Sequence, residues 1–263
     1  MEQEPDPPVS RGPQGSGSRG SQGSGPQGAA PAIAVSTVIF ALRPEGDAAG
    51  STPSLWTPFV LRTREPHLDR WALPGGWLPG DEELESAAAR TLGETTGLHP
   101  SYLEQLYTFG GVDRSPTGRV VTVVYSALVR TDEVEQAAPG ENVRWFRADR
   151  LPRLAFDHNA IVDYALERLR TKVEYAHIAH SFLGETFTLS QLRSVHEAVL
   201  GQELDAANFR RSMAASPDIV ATGELMAGTP HRPPKLYRYR NQTHATRHRD
   251  AQPENPTAER VRP

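Results

Sequence analysis

Gly76-Trp77-Leu78-Pro79-Gly80-Asp81-Glu82-Glu83-Leu84-Glu85-Ser86-Ala87-Ala88-Ala89-Arg90-Thr91-Leu92-Gly93-Glu94-Thr95-Thr96-Gly97-Leu98 is the stretch whose reading decides the fold. It follows Leu73-Pro74-Gly75, and the run Leu73 to Gly76 reads as a turn in which glycines let backbone come close to a ligand. Leu84, Ala88 and Leu92 then recur at helical spacing and supply an apolar stripe. Positions 91, 94 and 95 are related by i, i+3 and i+4, so they share one helix face. On that face stand two threonines and one carboxylate, Glu94. Gly93 in the helix interior costs about 1 kcal/mol of helix propensity relative to alanine.

The spacing resembles the Nudix box: glycine, five residues, glutamate, seven residues, then Arg-Glu-apolar-any-Glu-Glu-any-Gly-apolar. Every interval is kept, but Thr91 and Thr95 stand where that pattern has glutamate. Three glutamates there would make a dense oxygen site for Mg²⁺, which could polarise a pyrophosphate and activate water. With Glu94 alone, the resemblance implies a kept pocket and weakened chemistry. Glu82 and Arg90 occupy the family's orienting ion pair. The candidate catalytic residues are therefore Glu94, Glu82 and Arg90, with Glu94 the weak metal ligand if Mg²⁺ hydrolysis survives. Candidates for a second carboxylate include Glu82 and Glu83, with none decisive.

The 263 residues, 37% of them hydrophobic, can bury one large domain or two small ones. The net charge of −4 is unevenly spread. Residues 186–249 carry nine Lys/Arg against five Asp/Glu (+4), and the remainder nineteen against twenty-seven (−8). A basic C-terminal segment on an acidic body points to a polyanion. There is no cysteine, so neither disulfides nor a thiolate metal site exist, in keeping with a cytoplasmic protein. No run approaches 18 apolar residues and the N-terminus lacks a signal-peptide pattern, so no membrane partner is expected.

Residues 1–31, rich in Gly, Pro and Ser, read as a disordered tail. Ala32 to Leu42 is an apolar run suited to a buried strand, and Trp56 to Arg62, Arg119 to Val129 and Val143 to Phe146 are further strands. Gly46 to Pro53 reads as a loop, and Asp157 as the cap of a helix from His158 to about Val173. Residues 32–175 thus form an α/β unit, a mixed sheet sandwiched by helices, which is the Nudix α/β/α architecture. Over residues 176–240 the pattern changes. Thr188 or Ser190 starts a helix through Leu192, Val195 and Val199 that Gly201 stops, and Asp205 caps a second over Ala206 to Ala214. Ile219 to Thr222 and Lys235 to Arg240 form a hairpin, completing a small winged helix-turn-helix. Residues 241–263 read as a second disordered tail.

On the second of these helices Asn208, Arg210 and Arg211 are placed to enter a major groove, with Phe209 and Met213 on its buried side. Arg232, Lys235 and Arg238 make a basic wing. The plain alternative is that these are solvated surface residues on a dimer element.

The combination resembles the NrtR-type Nudix-related transcriptional regulators of NAD metabolism over residues 32 to about 240. The phrases that carry it are Leu106–Gly110, Asp113–Arg119, Phe156-Asp157-His158, Phe187-Thr188-Leu189, Asn208–Arg211 and Arg232–Tyr237. The resemblance implies a homodimeric repressor of NAD biosynthesis or salvage genes that leaves its double-stranded operator when ADP-ribose binds. It needs no cofactor for DNA binding. Gly75, Gly76, Asp113, Arg114 and Arg119 would then border the ligand, arginine suiting a diphosphate through its bidentate fork. Asp113–Pro116 can equally be a polar turn, and a histidine such as His158 at a helix start is commonly structural. Trp71 and Trp145 are expected in the core. The segment Phe156 to Tyr175 would link the two modules. The competing enzymatic reading is a Mg²⁺-dependent Nudix hydrolase of ADP-ribose or another nucleoside diphosphate derivative.

Overall fold

The computed structural model describes residues 30–45, 52–100, 102–136, 140–175, 178–227 and 233–240. Both expected tails fall largely or wholly outside these residues, as do most of the Gly46–Pro53 loop and Arg232.

Strand β1 (Ala32–Pro44) is the axis of the sheet. Its even residues Val38, Phe40 and Leu42 enter one core and its odd residues Val35, Ile39 and Ala41 two smaller ones on the opposite face. Burial on both faces is why it reads as an unbroken apolar run. β2 (Pro53–Leu61) runs antiparallel to β1, and β3 (Trp71–Ala72) extends β2. β4 (Gly75–Trp77) pairs antiparallel with the first half of β1. The helix of the quoted stretch is α1 (Leu84–Thr96), ended by Gly97 in the left-handed region (φ 69°). β5 (Tyr102–Phe109) and β6 (Val120–Val129) form a hairpin with a register shift between Gln105 and Tyr107, and β6 lies parallel to β1. Next come α2 (Thr131–Gln136) and β7 (Val143–Arg147), which pairs with β2, then α3 (His158–Tyr175). The order β3-β2-β1-β6-β5 makes a mixed sheet with α1 on one face and α3 on the other, the expected sandwich.

Two expectations fail locally. Gly75 and Gly76 lie in a strand, not a free turn. Gly75 must be glycine because a Cβ there would sit 2.3 Å from the carbonyl oxygen of Val35. Asp157 does precede α3, but its carboxylate accepts from Arg114 rather than capping the helix. Trp71 and Trp145 pack against the cores as expected.

Beyond a 3-10 turn at Ile178–Phe182, α4 (Leu189–Leu200) begins with a capping box between Thr188 and Gln191 and ends at Gly201 (φ 71°). α5 (Ala206–Ala215) is capped by Asp205, whose side chain accepts from the Asn208 amide. β8 (Ile219–Leu225) and β9 (Lys235–Tyr239) are antiparallel, and Phe187 makes an isolated antiparallel bridge to Tyr237. Leu192, Val195 and Val199 of α4 belong to the same core cluster as Leu166, Leu169 and Val173 of α3, so the C-terminal helices rest on the sheet domain through one continuous core. Among the described residues no helix is long and apolar enough to cross a membrane.

Candidate functional site

The polar face of α1 is satisfied from within. Arg90 forks onto Glu82, Nε to Oε1 at 2.8 Å and Nη2 to Oε2 at 2.6 Å, while Nη1 reaches Glu94 at 3.2 Å. The hydrogen bond from Arg90 holds the Glu82 carboxyl below its ordinary range, and the same bond raises the Arg90 guanidinium. The hydroxyl of Thr91 donates to Ala87 O at 2.8 Å and that of Thr95 to Thr91 O at 2.5 Å. These short polar side chains bond back onto their own helix, as threonine in a helix does. Among the described residues no three His, Asp or Glu side chains gather as a metal site. The residues present do not fit the Mg²⁺ of the enzymatic reading: threonines stand at 91 and 95, and the carboxylates of Glu82 and Glu94 are both tied to one arginine, so no dense carboxylate set faces a hard cation.

Beside α1 opens a cavity of about 560 Å³, the size of a nucleotide site. Ser36 of β1 and Thr122 of β6, both buried, share a 3.2 Å hydrogen bond, and both line it. Gly75, Gly76 and Trp77 of β4 and Thr95 of α1 line it too. The loop after β2 contributes Arg62 and Arg64, and the loop after β5 contributes Arg114, Ser115 and Thr117. Arg114 is fixed by Asp157 through Nε and Nη2, at 3.0 and 2.8 Å, with only 7% of its side chain exposed. A part-buried, bidentate pair of this kind holds its guanidinium in one place.

The turn into α3 closes the cavity. Phe156, a non-glycine residue at φ 52°, lies under the Arg62 guanidinium (4.8 Å) and against His67 (4.7 Å). Such a conformation costs of order 1–3 kcal/mol and persists only where its surroundings impose it. The next residue but one, His158, accepts at Nδ1 from the Leu73 amide at 2.9 Å. Burial pushes its imidazole down to about 3, so it is the neutral ring that anchors Leu73 to α3. Its role is structural, within the cavity wall.

The cavity gathers Gly75, Gly76 and Arg114 of the expected ligand residues and leaves out the other two. Asp113 is exposed and is not among the lining residues. Arg119 donates from Nη1 to Gly110 O and Gly111 O, at 2.7 and 2.9 Å, and so clasps the β5–β6 loop. Glu82, Arg90 and Glu94 also lie outside the lining. Arg62, Arg64, Trp77, Thr95 and Phe156 were not anticipated as lining residues. The only signal for the arginines is the Arg62-Thr63-Arg64 doublet directly after an apolar strand.

A second polar face lies on α5. Asn208, Arg210 and Arg211 are exposed, with a 3.2 Å hydrogen bond from Arg211 Nη1 to Asn208 Oδ1. Phe209 and Met213 turn to the core, and the Phe209 ring lies 5.2 Å from that of His196. Lys235 and Arg238 are exposed on β9.

These features define a class: a Nudix domain with its cavity kept and its carboxylate face disarmed, joined by one core to a C-terminal winged helix. The family models agree, the NUDIX domain matching residues 38–168 and the NrtR DNA-binding winged helix domain residues 179–239. The ADPR responsive transcriptional repressor of Acinetobacter baylyi is 36% identical over 186 residues, 68% of this chain and 74% of that protein. The crystal structure of Shewanella oneidensis NrtR complexed with a 27mer DNA is similar at TM-score 0.65 and 32% identity, covering 79% of this chain and 93% of that one. A MutT/nudix family protein from Enterococcus faecalis is similar at TM-score 0.65 and 28% identity, over 83% and 90% of the two chains. The chain belongs to the NrtR family.

Proposed function

We propose that this protein is a cytoplasmic, homodimeric transcriptional repressor that binds double-stranded operator DNA and releases it when ADP-ribose occupies the cavity beside α1. Its targets on this reading are genes of NAD biosynthesis or salvage. The observation that carries it is the division of polar groups: Glu82 and Glu94, the two carboxylates kept from the box, are both paired with Arg90, while the arginines of α5 stand exposed. Arg62, Arg64 and Arg114 are assigned to the diphosphate, and Asn208, Arg210 and Arg211 to base edges, with Lys235 and Arg238 on phosphates. Arg232, which lies outside the described residues, is assigned to phosphate as well. DNA binding needs no metal or cofactor.

α3 is the natural coupler. The turn into it, Phe156 to His158, meets the cavity, and Arg170 further along donates from Nε to Val199 O of α4 at 3.3 Å. Ligand that favours one placement of the Phe156 turn would thereby bias the winged helices of the dimer against the operator spacing. A coupling of about 1–3 kcal/mol is the usual size. The test is capture of fragmented source DNA by the purified protein, sequenced with and without ADP-ribose. A palindromic site near NAD-pathway genes that disappears on adding ADP-ribose is the expected result. Enrichment that ADP-ribose leaves unchanged would refute the effector assignment, and no enrichment would refute the repressor.

A further inference from the structure

We propose that Trp77 is the platform on which the flat base of the bound nucleotide stacks, so that it sets the preference of the cavity for a nucleotide over a base-less phosphosugar. The inference rests on the effector reading above and deepens it. Trp77 is the most exposed aromatic side chain of the cavity lining, at 61%, although it sits in a paired strand. Its backbone is tied to β1: it is the register partner of Ala34, and the following amide, Leu78 N, donates to Ile33 O at 3.0 Å. The indole is therefore presented by a rigid element. Among the described residues no ring or guanidinium packs on it.

The other rings of the lining are already engaged. Phe156 is covered by Arg62 and His67, and the His158 imidazole is buried and hydrogen-bonded to Leu73. That leaves one open π-face at the cavity. The cationic wall comes from separate loops, through Arg62, Arg64 and Arg114, so a base and a diphosphate would be met by different elements. An exposed indole beside a cavity is what a stacking site requires, since every base has a π-face and the contact is largely indifferent to its edge groups.

The experiment is calorimetric titration of the full-length protein and its Trp77→Ala and Trp77→Phe variants. The two probes are ADP-ribose and ribose 5-diphosphate, which keeps sugar and diphosphate but lacks the base. Trp77→Ala should weaken ADP-ribose roughly 5- to 100-fold and leave ribose 5-diphosphate within about twofold, while Trp77→Phe retains most of the affinity. Equal losses for both probes would overturn stacking and make Trp77 a mere wall. Unchanged ADP-ribose binding in Trp77→Ala would overturn the proposal and leave the effector reading intact. Wild-type protein that binds neither probe would sink the effector reading. Titration with AMP, ATP and NAD, followed by indole emission, would then decide the platform separately: quenching lost in Trp77→Phe supports it, and no response to any base overturns it.

Discussion

α1 and α5 are both short helices with one polar face, and they use it in opposite ways. On α1 the hydroxyls of Thr91 and Thr95 bond to carbonyls a turn earlier, and Arg90 holds both Glu94 and, just before the helix, Glu82. On α5 only one link, Arg211 to Asn208, is internal, and the face is otherwise open to solvent. Carboxylates already paired with a guanidinium gain less from a cation; an open cationic face can still replace water with phosphate and base edges. The side of α1 that meets the cavity is a hydroxyl and a methyl, suited to shape, not to metal chemistry. On the proposed function, the difference would assign nucleic-acid recognition to α5 and ligand sensing to the cavity beside α1.

The most direct way to break this comparison is to empty the α5 face. Arg210→Ala with Arg211→Ala should weaken operator binding by about two orders of magnitude or more, taking about 1–3 kcal/mol for each base-reading arginine. Fluorescence anisotropy with the captured operator measures this, and calorimetry should find ADP-ribose affinity unchanged. Operator affinity within threefold of wild type would mean that α5 does not enter the groove.

The two regions share a core, and that bears on how independent they are. Leu192 of α4 is fully buried in the cluster that also holds Leu166 and Val173 of α3. Leu192→Ala should cost about 2–5 kcal/mol. Because the cluster crosses from one region to the other, denaturant unfolding should show one shifted transition by both tryptophan emission and circular dichroism. Two separated transitions would show that the winged helix folds independently of the sheet domain.

How much of this was legible in the sequence followed from how local the determinants are. α4 and α5 announce themselves because Thr188, Gln191, Gly201 and Asp205 act within one turn of the helix ends. β1 was legible because burial on both faces demands a continuous apolar run. β5 was not: it is an edge strand, mostly half-exposed, and its register shift interrupts any alternation. The cavity was legible only at its glycines and at Arg114. Its cationic wall joins residues near 62 and 114, and the turn at 156 closes it, a grouping that only the folded sheet makes. Arg119 shows the limit of reading by residue type. A guanidinium fits carbonyl oxygens as readily as a diphosphate, and here two loop carbonyls take it.

A smaller effect should appear on acidification, and each region contributes one group. Burial lowers His158 to about 3 and His196, packed against Phe209, to about 4. Both values lie below the ordinary 6.5, so the unfolded chain takes up these protons first. The stability they contribute is present in full above about pH 6.5 and is lost as pH falls towards 4 and below. Urea midpoints should therefore drop between about pH 7 and pH 4. His158→Gln, whose amide oxygen can still accept from Leu73, should flatten the slope more than His196→Gln does, because His158 is the more deeply buried. An unchanged slope in both variants would place the acid sensitivity elsewhere.

The smallest expected change sharpens the contrast from the α1 side. Thr95 lines the cavity and Thr91 is buried beneath Gly76, where a Cβ would lie 3.3 Å from the Thr91 methyl. Thr95→Glu would thus present a carboxylate to the cavity next to Glu94, whereas Thr91→Glu must displace packed backbone. If absent ligands were the sole obstacle, Thr95→Glu would yield Mg²⁺-dependent release of AMP from ADP-ribose, and a further Glu94→Gln change would abolish it. The Arg90 fork argues for a modest gain, since Glu94 must leave a guanidinium 3.2 Å away before it can hold a cation. AMP release measured at saturating Mg²⁺ should therefore rise from background to slow turnover only. Turnover comparable to that of an active pyrophosphohydrolase would mean that the ion pairs of α1 offer no real resistance to metal, and that its polar face is as available as that of α5.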